Sequence, residues 1–206
     1  MDWSDILGVL VVLAAVVILP LVLRKRKKGS AESIEEFYRH LQKVGVQASL
    51  AERGSNREKE GLGRGTGQKL EGTIELEDRN IDSINVISSS SQYGTQYFID
   101  YLVKSPNVMG ERILKKTKAI GKKSPPLWGK VVAIQWKGDE SLSRSLNFDY
   151  SLEDKLLRSD AKGFKGSISI FPESRHGYTR IRTAYFLPSA EVFGAISGIA
   201  RYVKSW

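Results

Sequence analysis

The chain has 206 residues, a formal net charge of +9 and no cysteine. The absence of thiols excludes disulfides, zinc–thiolate sites, iron–sulfur clusters and cysteine nucleophiles. The length accommodates one ordinary domain with a real core. The basic balance suits anionic lipid better than nucleic acid.

Residues 1–5 form a short N-terminus that carries Asp2 and Asp5. Ile6 to Leu23 then runs for about 18 residues without a charge, long enough to cross a hydrocarbon core as a helix. Arg24, Lys25, Arg26, Lys27 and Lys28 follow at once. A secretory signal peptide places its cations before the apolar core and a small-residue cleavage site after it. Here that order is reversed, and no such site follows Leu23. A buried core helix would show a polar stripe once per turn, and this run shows none. Residues 6–23 therefore read as a transmembrane anchor and 24–32 as a basic juxtamembrane segment. The Lys/Arg bias assigns that segment to the cytoplasmic side, which puts the N-terminus outside and the remaining chain inside.

Residues 33–51 read as a juxtamembrane amphipathic helix. Ser33 and Glu36 form a capping box, and Ile34, Phe37, Leu41 and Val44 follow at helical spacing up to Gly45. Such a helix either lies on headgroups or packs on the domain, and packing is the commoner fate. His40 falls on its polar flank and is expected to be exposed. Residues 52–69 read as a flexible Gly- and charge-rich loop. Its GLGRGTG lacks the third glycine of the dinucleotide fingerprint and the Gly-Lys-Ser/Thr of a phosphate loop.

Residues 70–206 read as one cytoplasmic α+β domain, an antiparallel sheet of about five to seven strands packed by a C-terminal helix. Leu70, Gly72, Ile74 and Leu76 alternate with Glu71, Thr73, Glu75 and Glu77, which predicts a strand with one wet face. Ile81 to Ser88 and Thr95 to Lys104 complete a meander. Ser105 to Pro126 is a basic insertion holding Arg112, Lys115, Lys116, Lys118, Lys122 and Lys123, with a short helix expected around Gly110 to Ile120. Lys130 to Lys137 is a strand, Ser145 to Tyr150 an extended segment, and Ser151 the cap of a short helix. Gly166 to Phe171 and Tyr178 to Leu187 form a hairpin across PESRHG. Ser189 caps a last helix whose Gly194 and Gly198 suggest close packing on the sheet, over Ile168–Phe171 and Ile181–Tyr185.

Two groups of residues are candidate sites. Arg180 and Arg182 share one strand face, with Arg175 and His176 in the turn before them, a constellation suited to an anion because arginine forks match phosphate. The competing reading pairs the two arginines with acids on a neighbouring strand, Asp100 foremost, and is favoured. The second group is the basic stretch from Arg112 to Lys123, together with Arg24–Lys28. It is either a solvated charge run or a contact for anionic headgroups or an acidic protein partner. No cofactor motif, metal-ligand spacing or nucleophile signature stands in the chain, and no nucleic-acid motif supports that class of partner. The sequence favours a single-pass, membrane-anchored binding or scaffold module whose partners are the bilayer and an unidentified protein. The alternative is a membrane-tethered hydrolase or transferase that uses an acid pair or the Arg/His anion site.

Overall fold

Alternating apolar and polar residues between short turns build an antiparallel sheet, and most of this chain follows that rule. The computed structural model describes residues 34–206 except 53, 56–58, 60, 62–64, 66, 110–113, 126–129, 159–166 and 206. The anchor and basic segment read at 6–32, with Arg24, Lys25, Arg26, Lys27 and Lys28, lie outside the described residues, as does Arg112. Among the described residues no helix is long and apolar enough to cross a membrane. Two units, Met1–Glu36 and Phe37–Trp206, separate by their internal contacts. The second carries the features that follow.

Its eight strands are β1 Ala48–Leu50, β2 Gln68–Leu76, β3 Ser83–Ser91, β4 Gly94–Lys104, β5 Thr117–Ser124, β6 Lys130–Lys137, β7 Ile168–Glu173 and β8 Tyr178–Ala184. They form one antiparallel sheet in the order β1-β2-β3-β4-β8-β7-β5-β6. The helices are α1 at residues 34–43, α2 Glu140–Phe148, α3 Tyr150–Leu157 and α4 Ala190–Lys204. The class is α+β, with eight strands where five to seven were expected.

β4 is central, and its alternation divides the sheet into two faces. Ile99, Tyr101 and Val103 point one way, level with Val86, Ile84 and Thr183, Ile181, Thr179 on the flanking strands. Phe98, Asp100 and Leu102 point the other way. The helices cover the Tyr101 face. α4 buries Val192, Phe193, Ile196, Ile199, Ala200 and Val203 there, and the Phe193 ring meets Tyr101 edge-on at 6.4 Å. Each of the larger side chains contributes about 1.5–3 kcal/mol by leaving water, so this stripe is the main clamp on the sheet. α1 packs beside it: Phe37 and Leu41 are fully buried, and the Phe37 ring lies 5.9 Å from Tyr185.

Several sequence expectations are corrected. The helix read over 33–51 ends by 43 in the described residues, and Ala48–Leu50 pairs with β2 instead. His40 is not simply exposed; its Nε2 lies 2.7 Å from the Pro188 carbonyl oxygen. In the 52–69 loop, Gln68 and Lys69 already belong to β2. Lys59 is docked on the sheet, its ammonium 2.8 Å from Asp82 and its carbonyl accepting from Asn85 Nδ2. A bulge between Leu70 and Gly72 turns Leu70 away from Ile74, and Thr73 is buried although its face was expected to be wet.

Of the helix expected around Gly110 to Ile120, residues 110–113 lie outside the described residues, and from Thr117 the chain is strand β5, because Thr117 and Ala119 alternate inward. Ser145 to Phe148 is helical, since Leu142 and Leu146 sit one turn apart on the core. Aspartates supply both caps: Asp139 accepts from the Ser141 and Leu142 N–H groups, and Asp149, not Ser151, caps α3 through Leu152 N–H. α4 lies over β4 and β8 and against α2 and α3. Its glycines do not meet the sheet: a Cβ on Gly194 would meet nothing within 4 Å, and one on Gly198 would only touch Leu152 at 4.0 Å.

Candidate functional site

The face opposite α1–α4 carries one continuous polar row. Thr73, Asn85, Asp100, Arg182, Ser169, Lys118 and Lys137 are successive cross-strand partners from β2 to β6. With strands about 4.8 Å apart, the row is on the order of 30 Å long. Its character changes along the way. Thr73, Asn85 and Asp100 are buried, Arg182 is half-buried, and Lys118 and Lys137 are exposed.

The buried half is internally satisfied. Thr73 Oγ1 donates to Asn85 Oδ1 at 2.8 Å. The Asp100 carboxylate, with no exposed surface, accepts from Arg182 Nε at 2.6 Å, Arg182 Nη2 at 2.7 Å and Arg180 Nη1 at 3.0 Å. Arg180 also donates through Nε to Glu173 at 2.7 Å. Two acids thus offset two arginines. Burial alone would lower the Arg182 guanidinium, but the bonds and charge of Asp100, with Glu173 behind it, leave it above its ordinary value. Asp100 is the partner that strand alternation had indicated.

The exposed half is not balanced in this way. Lys118 lies in β5 and Lys116 just before the strand begins, and Lys116 reaches the Lys118 face through its contact with Phe171. The Lys116 ammonium lies 4.0 Å from the centroid of Phe171, with Arg180 at 4.6 Å and Arg182 at 5.8 Å from the same ring. Such cation–ring contacts contribute about 0.5–1 kcal/mol at exposed sites. Desolvation against this surface, then the charges of Lys118, Arg180 and Arg182, pull the Lys116 amine below the usual lysine range. Lys118 sits directly opposite Lys137, and like charges in that position repel. No acid pairs with Lys116, Lys118, Lys122 or Lys137 among the described residues. Alternation places Lys122 on the same face, and Ile120, 44% exposed, lies between it and Lys118.

Of the anion cluster read from sequence, Arg180 and Arg182 come together on Asp100, whereas Arg175 and His176 sit exposed in the turn at the end of the hairpin. Of the basic stretch, Lys116, Lys118 and Lys122 join the sheet face. Lys115 precedes β5, and Lys123 lies past a register shift. The two groups, some 60 residues apart in sequence, become neighbours because Ser169 pairs with both Lys118 and Arg182. Sequence reasoning missed Phe171, Glu173 and Lys137. The only period-two signal in TKAIGKKS is the inward alternation of Thr117 and Ala119, and reading it as a strand would have linked Lys118 to the hairpin.

Compared with known proteins, the chain matches no family model, no curated protein and no solved structure. Among the described residues no group of three or more His, Cys, Asp or Glu is placed to hold a metal ion. What the arrangement offers chemically is a cationic face with an aromatic floor at Phe171, flanked by the buried ion cluster of Asp100, Arg180 and Arg182.

Proposed function

We propose that this chain is a single-pass, membrane-anchored binding module. Its cytoplasmic domain docks the Lys116–Lys118–Lys122–Lys137 face of its sheet on the anionic surface of the bilayer. The observation that supports this reading is a set of lysines that pair with no acid among the described residues, on the sheet face opposite α1–α4, with Ile120 and Phe171 among them. Each cation near an anionic leaflet gains about 1 kcal/mol, an attraction that fades over about 10 Å at ordinary ionic strength. Four on one plane therefore suffice for a salt-sensitive orientation of a tethered domain. The apolar run at 6–23 and the cations at 24–28 supply the tether in this reading.

The test uses the full-length chain reconstituted in lipid discs, neutral or rich in phosphatidylglycerol. Amine acylation at Lys118, Lys122 and Lys137 is followed by mass spectrometry. Docking lowers their reactivity in anionic discs, and high salt restores it. Equal reactivity in both discs overturns the reading. Equal reactivity that an acidic protein from the same membrane then lowers assigns the face to that protein instead.

A further inference from the structure

We infer that Lys116 and Lys118 form a discrete subsite for a phosphate monoester carried on a lipid headgroup. This goes beyond a diffuse cationic surface, and it rests on the docking reading above.

Lys118 rises from β5 opposite Ser169, and Lys116, two residues earlier and just outside the strand, reaches the same face over Phe171. Each ends a flexible four-carbon stem carrying three donors. Neither has an acid partner among the described residues, so the two positive charges add on this face. Arg180 and Arg182 cannot swing in to take the ligand, because Asp100 and Glu173 hold them. They fix a wall beside the site, and Phe171 forms its floor under Lys116. Ser169, paired to Lys118 across the ladder, adds a hydroxyl on the same face.

A phosphate monoester at neutral pH carries about −1.5 to −2 charges and three terminal acceptor oxygens. That matches two ammonium groups on one face. A phosphodiester carries one charge and two free oxygens, and leaves one lysine uncompensated. Desolvation and the like charges of Lys118, Arg180 and Arg182 depress the Lys116 amine. Binding should draw it back toward the ordinary lysine value.

The experiment again uses the full-length chain in lipid discs. The phosphatidylcholine is doped with phosphatidate, a monoester, or with phosphatidylglycerol, a diester, at matched surface charge. Acylation rates are read at each lysine. The expected result is about tenfold slower acylation of Lys116 and Lys118 in the phosphatidate discs than in the phosphatidylglycerol discs. In K118M, Lys116 should lose that protection, because the two share one ligand. Equal protection in both discs, or protection of Lys116 that survives K118M, overturns the subsite while leaving surface docking intact. Protection in neither disc overturns both. A third arm adds soluble glycerol 3-phosphate to neutral discs; if it protects the pair as well as phosphatidate does, the lipid source is wrong.

Discussion

Asn147 bonds the backbone of Trp136 twice: its Oδ1 accepts from the Trp136 N–H at 2.8 Å, and its Nδ2 donates to the Trp136 carbonyl at 3.0 Å. One residue pair further along β6, Glu153 Oε1 accepts the Ile134 N–H at 2.8 Å. Side chains from α2 and α3 thus occupy the outer edge of the sheet where another strand would pair.

An uncovered edge strand recruits other chains, and the segment KVVAIQWK is β-branched and apolar enough to do so. Asn147→Ala should cost about 1–3 kcal/mol, because it leaves partly buried backbone groups unpaired. It should also promote association. Urea midpoints and light scattering at several concentrations check both effects. A monomeric variant of unchanged midpoint would show the edge to be protected by other means.

The ion cluster beside the basic face predicts a strong asymmetry. Asp100→Asn leaves Arg182 without its carboxylate and Arg180 with Glu173 alone, in a buried site, and should destabilise by about 3–5 kcal/mol. Replacing Asp100, Arg180 and Arg182 together by Leu, Met and Met removes charge and partner at once, and should cost less than the single change. Denaturant melts of the two variants decide it. If the triple variant is the weaker, the cluster contributes net stability beyond satisfying its own charges.

The period-two segments were legible because each strand has one face against helices, so β3, β4, β7 and β8 announce themselves in composition. The last helix was legible from its stripe. β5 was not, since charge density hid its alternation, and α2 was not, since ESLSRSLNF shows only two apolar contacts per two turns, at Leu142 and Leu146. The polar row could not be read at all without the register that aligns Lys118, Ser169 and Arg182. The glycines of α4 were misread for a related reason: a stripe tells which face is buried, not which small residues touch anything. Gly194→Ala should therefore stabilise, by about 0.5–1 kcal/mol, through helix propensity alone. A lower thermal midpoint would mean that the open side of α4 is filled.

Gly138 behaves oppositely. Its φ of +145° is disfavoured for L side chains, and a Cβ there would lie 2.2 Å from the Lys116 carbonyl and 2.5 Å from Thr117 Cα. Asp139 N–H donates to Thr117 Oγ1 at 3.0 Å in the same turn. Gly138→Ala should cost more than about 2 kcal/mol and shift Lys116 off Phe171. Loss of stability with unchanged Lys116 reactivity would separate the turn from the site.

Tyr101 gives the pH prediction. Its ring is fully buried beneath Phe193, and its hydroxyl, like those of Thr179 and Thr183, has no hydrogen-bond partner among the described residues. Burial raises the phenol far above its ordinary 10.0; the nearby Thr183 hydroxyl opposes this only weakly, without reaching bonding geometry. The unfolded chain therefore loses this proton at lower pH than the folded chain. Folded protein holds more protons above pH 10, so stability is intact below that value. It then falls by about 1.4 kcal/mol per pH unit as pH rises. Lys116 acts with the opposite sign between its lowered value and 10.5, but it is mostly exposed and the effect is screened. Tyr101→Phe removes the ionisable group and an unpaired buried hydroxyl together, and should leave stability at pH 7 equal or slightly higher. The checking measurement is the urea midpoint as a function of pH from 7 to 11. The wild-type curve should bend downward near pH 10 and the variant curve should bend less. Parallel curves would mean that the phenol ionises freely in the folded state, and that the helix over Tyr101 admits water.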